Sequence, residues 1–403
     1  MKVAFVSPSL LLRGLAALVV VGAGLAACGG GGSASTSDTS PTASSFAAGP
    51  ITGFGSVIIN GVRFDDSKAR VSDDDGQSHD RSELKLGMVA EVHGGALSDD
   101  DRGRHAEAHD IVFRSELVGP VNSIDAAART LTVLGQVVDV TATTVFDDRL
   151  STGLAGIKVG DVLEVYGMLD TASGHITATR IEPKPNATFF RIRGIVTGLD
   201  TTARTFQIGG QTISYAALDP AQVPTALANG VFVRARLQTV QVSGAWVAVQ
   251  LRDSGRRMED RDEAEIKGRI TAFTSTTQFS VDGIPVDASG ATFEKGTAGV
   301  VLGARVEVEG RASAGVIIAS KVKVETEDEA RHGEFELHGT ASALDTTAKT
   351  FVLRGLTVDY SAPSVTFKDG TASKLANGVQ LEVKGTLSSD GTRVAATVVE
   401  FEQ

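Results

Sequence analysis

An eight-residue stretch in which apolar and charged residues alternate occurs five times along the chain. The copy at residues 160–167 reads GDVLEVYG, and the others begin at Gly87, Gly230, Gly303 and Gly378. Residues that alternate with a period of two point to opposite faces of a β-strand. Each copy therefore predicts a strand with one face in a hydrophobic core and the other face in water.

The outward position between the two apolar residues is charged in every copy. This charged column comprises Glu91, Glu164, Arg234, Glu307 and Glu382. Carboxylates that face outward on separate strands are more typical of solubility and protection of strand edges than of a catalytic pair of carboxylates. The third copy departs from the others, because Arg234 replaces Glu and Leu237 replaces the closing Gly.

Other elements recur in register with this strand, so the chain contains five repeats of about seventy residues. A glycine marks the first strand of each repeat at Gly53, Gly119, Gly194, Gly268 and Gly339. An alanine marks the last strand at Ala108, Ala178, Ala248, Ala319 and Ala396. An aliphatic residue follows each alanine after three positions rather than two, which predicts a β-bulge. The small side chain also predicts a close backbone approach, as where a barrel closes.

The repeats predict an all-β protein built from five tandem small β-barrels. Short strands, Gly-rich turns and many Val, Thr and Ile residues support this class, and no long helical pattern is present. We predict repeats at residues 50–116, 117–185, 188–254, 264–326 and 334–403. A unit of this size has a small core, and the short joints favour packing between neighbouring repeats.

Residues 1–27 predict a lipoprotein signal peptide. The apolar run before Cys28 is too short for a membrane span, and Lys2 and Arg13 are its only nearby charges. The text Leu25-Ala-Ala-Cys28 resembles the lipobox of bacterial lipoproteins, which implies cleavage before Cys28 and lipid on its thiol and new amino group. Cys28 is the only cysteine, so no disulfide competes with this interpretation. The alternative is an ordinary secretory signal with a chance cysteine.

Residues 28–49 are rich in Gly, Ser and Thr and predict a flexible tether between the lipid and the first repeat. Gly29 rather than Asp follows the cysteine, which resembles sorting to the outer membrane of Gram-negative bacteria. We therefore expect an exported protein that the lipid on Cys28 anchors to that membrane, on its periplasmic or surface side.

Composition argues against nucleic acid as a partner. The chain has 38 basic and 49 acidic residues, for a net charge of −11, whereas phosphate binding needs a basic surface. Aromatic residues that could stack on sugars or bases are few. The only tryptophan, Trp246, occupies an apolar position of a final strand, so we assign it to the core. The expected partner is an unknown protein or polymer of the cell envelope.

Candidate metal-ligating and catalytic residues are concentrated in the first repeat, which holds four of the seven histidines: His79, His93, His105 and His109. The pair His105 and His109, with Asp110 adjacent, could ligate a divalent ion. The run Asp73-Asp-Asp-Gly76 lacks the spacing of a calcium loop, so we interpret it as a solvated turn. The other repeats lack this cluster, so we predict no metal or cofactor as their shared function.

No established catalytic motif is present in the sequence. G-x-S-x-G, H-E-x-x-H and Walker motifs are absent, and lipidation would occupy the only cysteine. We therefore expect a protein that is not an enzyme and that binds or spaces something in the envelope. The alternatives are a hydrolase of envelope polymers, or a metal-binding protein, that uses the His- and Asp-rich first repeat.

The repeated elements resemble the domain-of-unknown-function family 5666, which is found in tandem in bacterial lipoproteins and exported proteins. The shared features are the Gly-x-Val/Ile first strand, the Asp-x-x-x-Arg-Thr-Phe hairpin, the Gly-x-x-Val-Glu-Val-x-Gly strand and the closing Ala-x-x-Ile strand. The resemblance covers about residues 50–403 and is strongest in repeats two, four and five. It implies small OB-like barrels of five or six strands and supplies no activity.

Overall fold

We describe the protein from a computed structural model. The described residues are 44–100, 103–253, 258–326, 334–388 and 390–402. The predicted signal peptide, the lipidation site Cys28 and most of the predicted tether lie outside these residues. Residues 42–403 form one compact unit.

The first two repeats contain thirteen strands. Repeat 1 comprises β1 (Ser45–Phe54), β2 (Val57–Ile59), β3 (Val62–Asp65), β4 (Arg70–Asp73), β5 (Ser78–His79), β6 (Val89–Gly94), β7 (Ser98–Asp100) and β8 (Gly103–Arg114). Repeat 2 comprises β9 (Leu117–Asp125), β10 (Thr130–Val133), β11 (Gln136–Phe146), β12 (Val162–Leu169) and β13 (Ile176–Pro183).

The remaining three repeats follow the same plan. Repeat 3 comprises β14 (Phe190–Ile195), β15 (Thr197–Asp200), β16 (Thr205–Ile208), β17 (Gln211–Ser214), β18 (Phe232–Leu237) and β19 (Trp246–Asp253). Repeat 4 comprises β20 (Arg261–Ser275), β21 (Gln278–Val281), β22 (Ile284–Asp287), β23 (Thr292–Phe293), β24 (Arg305–Ser313) and β25 (Val316–Val324). Repeat 5 comprises β26 (Glu334–Thr340), β27 (Ser342–Asp345), β28 (Thr350–Leu353), β29 (Leu356–Asp359), β30 (Thr366–Lys368), β31 (Gln380–Leu387) and β32 (Arg393–Phe401).

Helical structure in the described part of the chain consists of short 3₁₀ turns. They span Arg81–Glu83, Asp148–Leu150, Gly153–Gly156, Pro220–Gln222 and Ala372–Lys374. No helix among the described residues has the length and apolar character needed to cross a membrane.

Each repeat closes on itself as a small barrel. In repeat 2, β9 pairs antiparallel with β10 and with β12, and β10 pairs antiparallel with β11. Strand β11 then pairs parallel with β13, which returns antiparallel to β12 and closes the ring. This five-strand order is typical of OB-like barrels. The prediction of an all-β chain of small OB-like barrels is therefore confirmed.

The predicted bulge is present between the last two strands of every repeat. The register shifts at the closing glycine of the repeated stretch, or at Leu237 in repeat 3. A Cβ on Gly310 would lie 2.2 Å from the Ile318 carbonyl oxygen, and one on Gly385 would lie 2.3 Å from the Ala395 carbonyl oxygen. The glycine therefore permits the close backbone approach between the last two strands, which the recurring alanine on the last strand predicted.

The first strand of repeat 1 differs in register from the prediction. Gly49, not Gly53, pairs with Ala90, in the way that Gly119 of repeat 2 pairs with Leu163. The strand begins at Ser45, so the last five residues assigned to the tether are part of a buried strand. Small side chains such as Ala47 and Ala48 resemble linker composition, but here they fit between two neighbouring strands.

Strand β1 joins three barrels. Its first half pairs parallel with β20 of repeat 4, from Ser45 opposite Glu263 to Ala48 opposite Ile266. Its last residues pair parallel with β26 of repeat 5, with Phe54 opposite Leu337. Repeat 1 therefore contacts repeats that are distant in sequence, as well as its neighbour repeat 2.

The hydrophobic core is shared in the same way. One cluster joins repeats 1 and 5 and includes Tyr166 of repeat 2, and a second joins repeats 2 and 3. The third cluster belongs to repeat 4 and takes in Phe46 and Ala48 of repeat 1. The prediction for Trp246 is confirmed, because it is 8% exposed and its indole N–H donates to Gln211 Oε1 at 3.0 Å.

Candidate functional site

The charged column lies on the outer faces of the barrels, but contacts between repeats bury part of it. Glu164 is 6% exposed and Arg234 is 5% exposed. The Glu164 carboxylate accepts hydrogen bonds from Ser115 Oγ at 2.9 Å and from Lys184 Nζ at 2.6 Å. The expectation that this column faces water is therefore wrong at these two positions, because other repeats cover them.

The acidic run of repeat 1 docks on the arginines of repeat 3. Arg191 and Arg234 donate to the two oxygens of Asp75 at 2.7 and 2.6 Å. Arg193 Nη1 lies 3.4 Å from Asp74 Oδ2, and Arg234 also pairs with Asp74. The interpretation of this run as a solvated turn is wrong, because guanidinium groups replace the water.

This ionic contact also explains why repeat 3 departs from the others. Burial alone would raise the pKa of Asp74, but Arg191, Arg234 and Arg193 outweigh burial, and its pKa lies below the usual value. Arginine in the charged column supplies the counter-charge that a glutamate there could not. Removing one member of such a buried network leaves an uncompensated charge, which typically costs about 3–5 kcal/mol.

A cleft of about 350 Å³ opens between repeats 1, 2 and 3. Repeat 1 contributes His79 and Lys85, repeat 2 contributes Tyr166, and the start of repeat 3 contributes Thr188 and Phe189. The remaining wall includes both carboxylates and cations, so the cleft presents both signs of charge. A second cleft of about 300 Å³ lies between repeats 1, 2 and 5.

Most charges in the larger cleft already have partners. Lys184 pairs with Glu164, and His79 Nδ1 lies 2.9 Å from Glu83 Oε2. Arg149 Nε lies 2.6 Å from Asp147 Oδ1. These pairs fix the positions of hydrogen-bonding groups that a ligand would meet.

The structure does not bring the predicted metal candidates of repeat 1 together around one point. His105 Nε2 lies 3.0 Å from Ser98 Oγ, and His109 lies about 13 Å further along the same strand. Arg70 Nε and Nη2 donate to the two oxygens of Asp110 at 2.7 and 3.0 Å, and this pairing lowers the pKa of Asp110. His105, His109 and Asp110 therefore stay candidate ligands only.

Among the residues that the structure describes, one group of three His, Asp or Glu side chains has ligand atoms within 4.8 Å of one another. The group comprises Glu336, His338 and Glu382 of repeat 5. Sequence reasoning missed it, although Glu382 belongs to the charged column and His338 sits on the first strand directly opposite. Placing the two columns in register would have revealed the group.

The fold and these contacts define a class: a set of small closed OB-like barrels in tandem, docked into one unit. Three segments of the chain match the family described as "Domain of unknown function (DUF5666)", at residues 118–182, 267–323 and 338–400. These segments correspond to repeats 2, 4 and 5, so the resemblance of the repeats to this family is confirmed.

Other comparisons add little. No curated protein matches the chain. Three solved chains match, and one, titled "drosophila Unr CSD456", is 17% identical over 42% of this chain and 78% of that chain, with a TM-score of 0.16.

Proposed function

We propose that this protein is a lipid-anchored, non-enzymatic binding scaffold of the bacterial cell envelope. In this proposal the docked barrels hold open the cleft between repeats 1, 2 and 3, which binds a polar segment of an envelope polymer or partner. The cleft carries the proposal, because its volume of about 350 Å³ lies within the range of ordinary ligand sites.

The chemistry of the cleft supports a polar ligand. Phe189 offers apolar surface, and Arg236 stacks on its ring with the guanidinium carbon 3.7 Å from the ring centre. The paired charged side chains present hydrogen-bond donors and acceptors, and charges of both signs, at fixed positions. Such a surface suits a hydrated chain with alternating polar and apolar groups, such as a glycan or a peptide.

The pairing of charges supports binding rather than catalysis. A general base needs a proton acceptor that is poised toward the substrate. In the cleft, Glu164 is engaged by Ser115 and Lys184, and His79 is engaged by Glu83. A scaffold can use such fixed groups as hydrogen-bond donors and acceptors for a bound segment.

The binding role is tested by filling the cleft without breaking any of its ion pairs. Thr188 is exposed and lines the cleft, whereas Thr225 is exposed and lies elsewhere on repeat 3. Calorimetric titration of full-length protein in detergent would use soluble envelope glycan fragments and short polar peptides. We expect Thr188→Trp to weaken binding by at least about tenfold and Thr225→Trp to leave it unchanged.

Two results would count against this role. Equal affinity of both tryptophan variants would place the ligand elsewhere, and no binding at millimolar ligand would leave the barrels as a spacer. Release of cleaved fragments during the titration would favour the hydrolase alternative.

The anchor is tested at Cys28. Because Cys28 is the only cysteine, incorporation of labelled palmitate into the protein reports on this residue and on the new amino group beside it. We expect Cys28→Ala to abolish incorporation and to move the protein from the membrane fraction to the soluble fraction. Unchanged membrane retention of Cys28→Ala would contradict the anchor.

A further inference from the structure

The outer face of repeat 5 carries an imidazole among three carboxylates. Glu336 and His338 lie two residues apart on β26 and therefore share a face, and Glu382 of β31 lies directly opposite His338. Glu402 follows the last strand and reaches the other side of the ring. The His338 side chain is only 13% exposed.

The distances in this cluster match those around a bound cation. His338 Nε2 lies 3.0 Å from Glu336 Oε1 and 3.7 Å from Glu382 Oε2. A tetrahedral zinc ion with ligands at about 2.0–2.1 Å separates those ligands by about 3.3 Å. The two distances to the imidazole nitrogen thus lie within a few tenths of an ångström of the zinc value, and all three ligand atoms lie within 4.8 Å of one another.

The surrounding groups orient these ligands. Glu402 Oε1 lies 2.7 Å from His338 Nδ1, and a carboxylate on that nitrogen directs the lone pair of the neutral ring to Nε2. Lys384 Nζ lies 3.3 Å from Glu336 Oε2 and from Glu382 Oε1. It thus holds the far oxygen of each carboxylate and leaves the near oxygen toward the imidazole.

The charges of the cluster favour a divalent ion. When a metal displaces the proton of the imidazole, the three carboxylates and the one ammonium group leave two negative charges around the ion. A divalent cation would balance them, and the imidazole nitrogen favours a transition metal over Mg²⁺ or Ca²⁺, which prefer oxygen ligands.

The cluster is specific to repeat 5 and lies at a contact between repeats. The corresponding cross-strand pairs in repeats 1 to 5 are Ala48–Glu91, Val118–Glu164, Arg193–Arg234, Lys267–Glu307 and His338–Glu382. The turn at Gly55 of repeat 1 covers His338 so closely that a Cβ there would lie 2.4 Å from the histidine Cβ.

We propose that Glu336, His338 and Glu382 form a binding site for a divalent transition-metal cation, with Zn²⁺ the best match. Glu402 and Lys384 position the ligands and do not bind the ion. The site strengthens the contact between repeats 5 and 1, because its histidine is held beneath the turn of repeat 1. This inference does not depend on the cleft described above.

Calorimetric titration of the metal-free full-length protein with Zn²⁺ tests the site. We expect one ion to bind at micromolar concentrations, with Mg²⁺ and Ca²⁺ at least about tenfold weaker. We expect His338→Gln and Glu382→Gln to abolish this binding, and Glu402→Gln to weaken it by about 10- to 100-fold. His105→Gln is the matched control, because it alters a histidine of repeat 1 that also lies beside a carboxylate.

X-ray absorption of the zinc-loaded wild-type protein provides a measurement that does not depend on the folding of variants. We expect one imidazole and two carboxylates among the ligands, and a rise in the thermal unfolding temperature on zinc addition. The absence of zinc binding would overturn the proposal. Binding that is lost in His105→Gln and kept in His338→Gln would also overturn it and would place the ion in repeat 1.

Discussion

At the scale of single residues, Glu265 shows what a contact between repeats does to a charged side chain. It lies on β20, where repeat 4 pairs with repeat 1, and Arg104 of repeat 1 donates to its carboxylate at 3.3 Å. Burial and the neighbouring Glu307 nevertheless outweigh this arginine, and they raise the pKa of Glu265 to about 8. The folded protein therefore holds this proton at neutral pH.

The raised pKa of Glu265 predicts that a lower pH stabilises the contact between repeats 4 and 1. An unfolded glutamate ionises near pH 4.5, so between that value and pH 8 the unfolded state binds fewer protons than the folded state. The contribution of Glu265 to the free energy of unfolding is thus fully present below pH 4.5 and is lost as the pH rises through 8. The slope for one such group is about 1.4 kcal/mol per pH unit.

Thermal unfolding at pH 5, 7 and 9 measures this effect. We expect Glu265→Gln to raise the unfolding temperature at pH 9 and to flatten the decline seen in the wild-type protein. The control is Glu263→Gln, since Glu263 pairs with the same arginine but is far more exposed. Equal pH profiles for Glu265→Gln and the wild type would refute the assignment.

At the scale of strands, much of the fold could be predicted from the sequence. Alternation of apolar and charged residues predicted the strands, and the three-residue step after Ala319 and its counterparts predicted the bulge that the register shows. These features are local, because the position of a residue within its strand decides whether its side chain faces the core or the solvent.

The first strand was the exception among these local predictions. Its residues before Gly49 are small apart from Phe46, and only pairing with β6 on one side and β20 on the other makes them a buried strand. That second partner lies more than two hundred residues away, so composition alone indicated a tether. The Gly-Pro pair at residues 49–50, which recurs at 119–120, was the available signal.

At the scale of the whole molecule, the sequence predicted five repeats and packing between neighbours, but not the contacts of repeat 1 with repeats 3, 4 and 5. Contacts between repeats use charged outward positions, and a charge that pairs with another repeat looks the same in sequence as one that faces water. Asp75 with Arg234, and His338 beneath Gly55, are examples. The candidate metal site and the cleft both arise at such contacts, which explains why neither was predicted.

On this account, the ionic contact between the acidic turn of repeat 1 and the arginines of repeat 3 fixes the position of these two barrels relative to each other. Because Cys28 is the only native cysteine, spin labels can be placed at exposed Ser67 and Thr201 in a Cys28→Ser background. Pulsed electron resonance then measures the distribution of distances between repeats 1 and 3. We predict a single narrow distribution that broadens in Arg234→Glu, because the new carboxylate would face Asp74 and Asp75. A broad distribution in the unaltered contact, or no response to Arg234→Glu, would contradict the account.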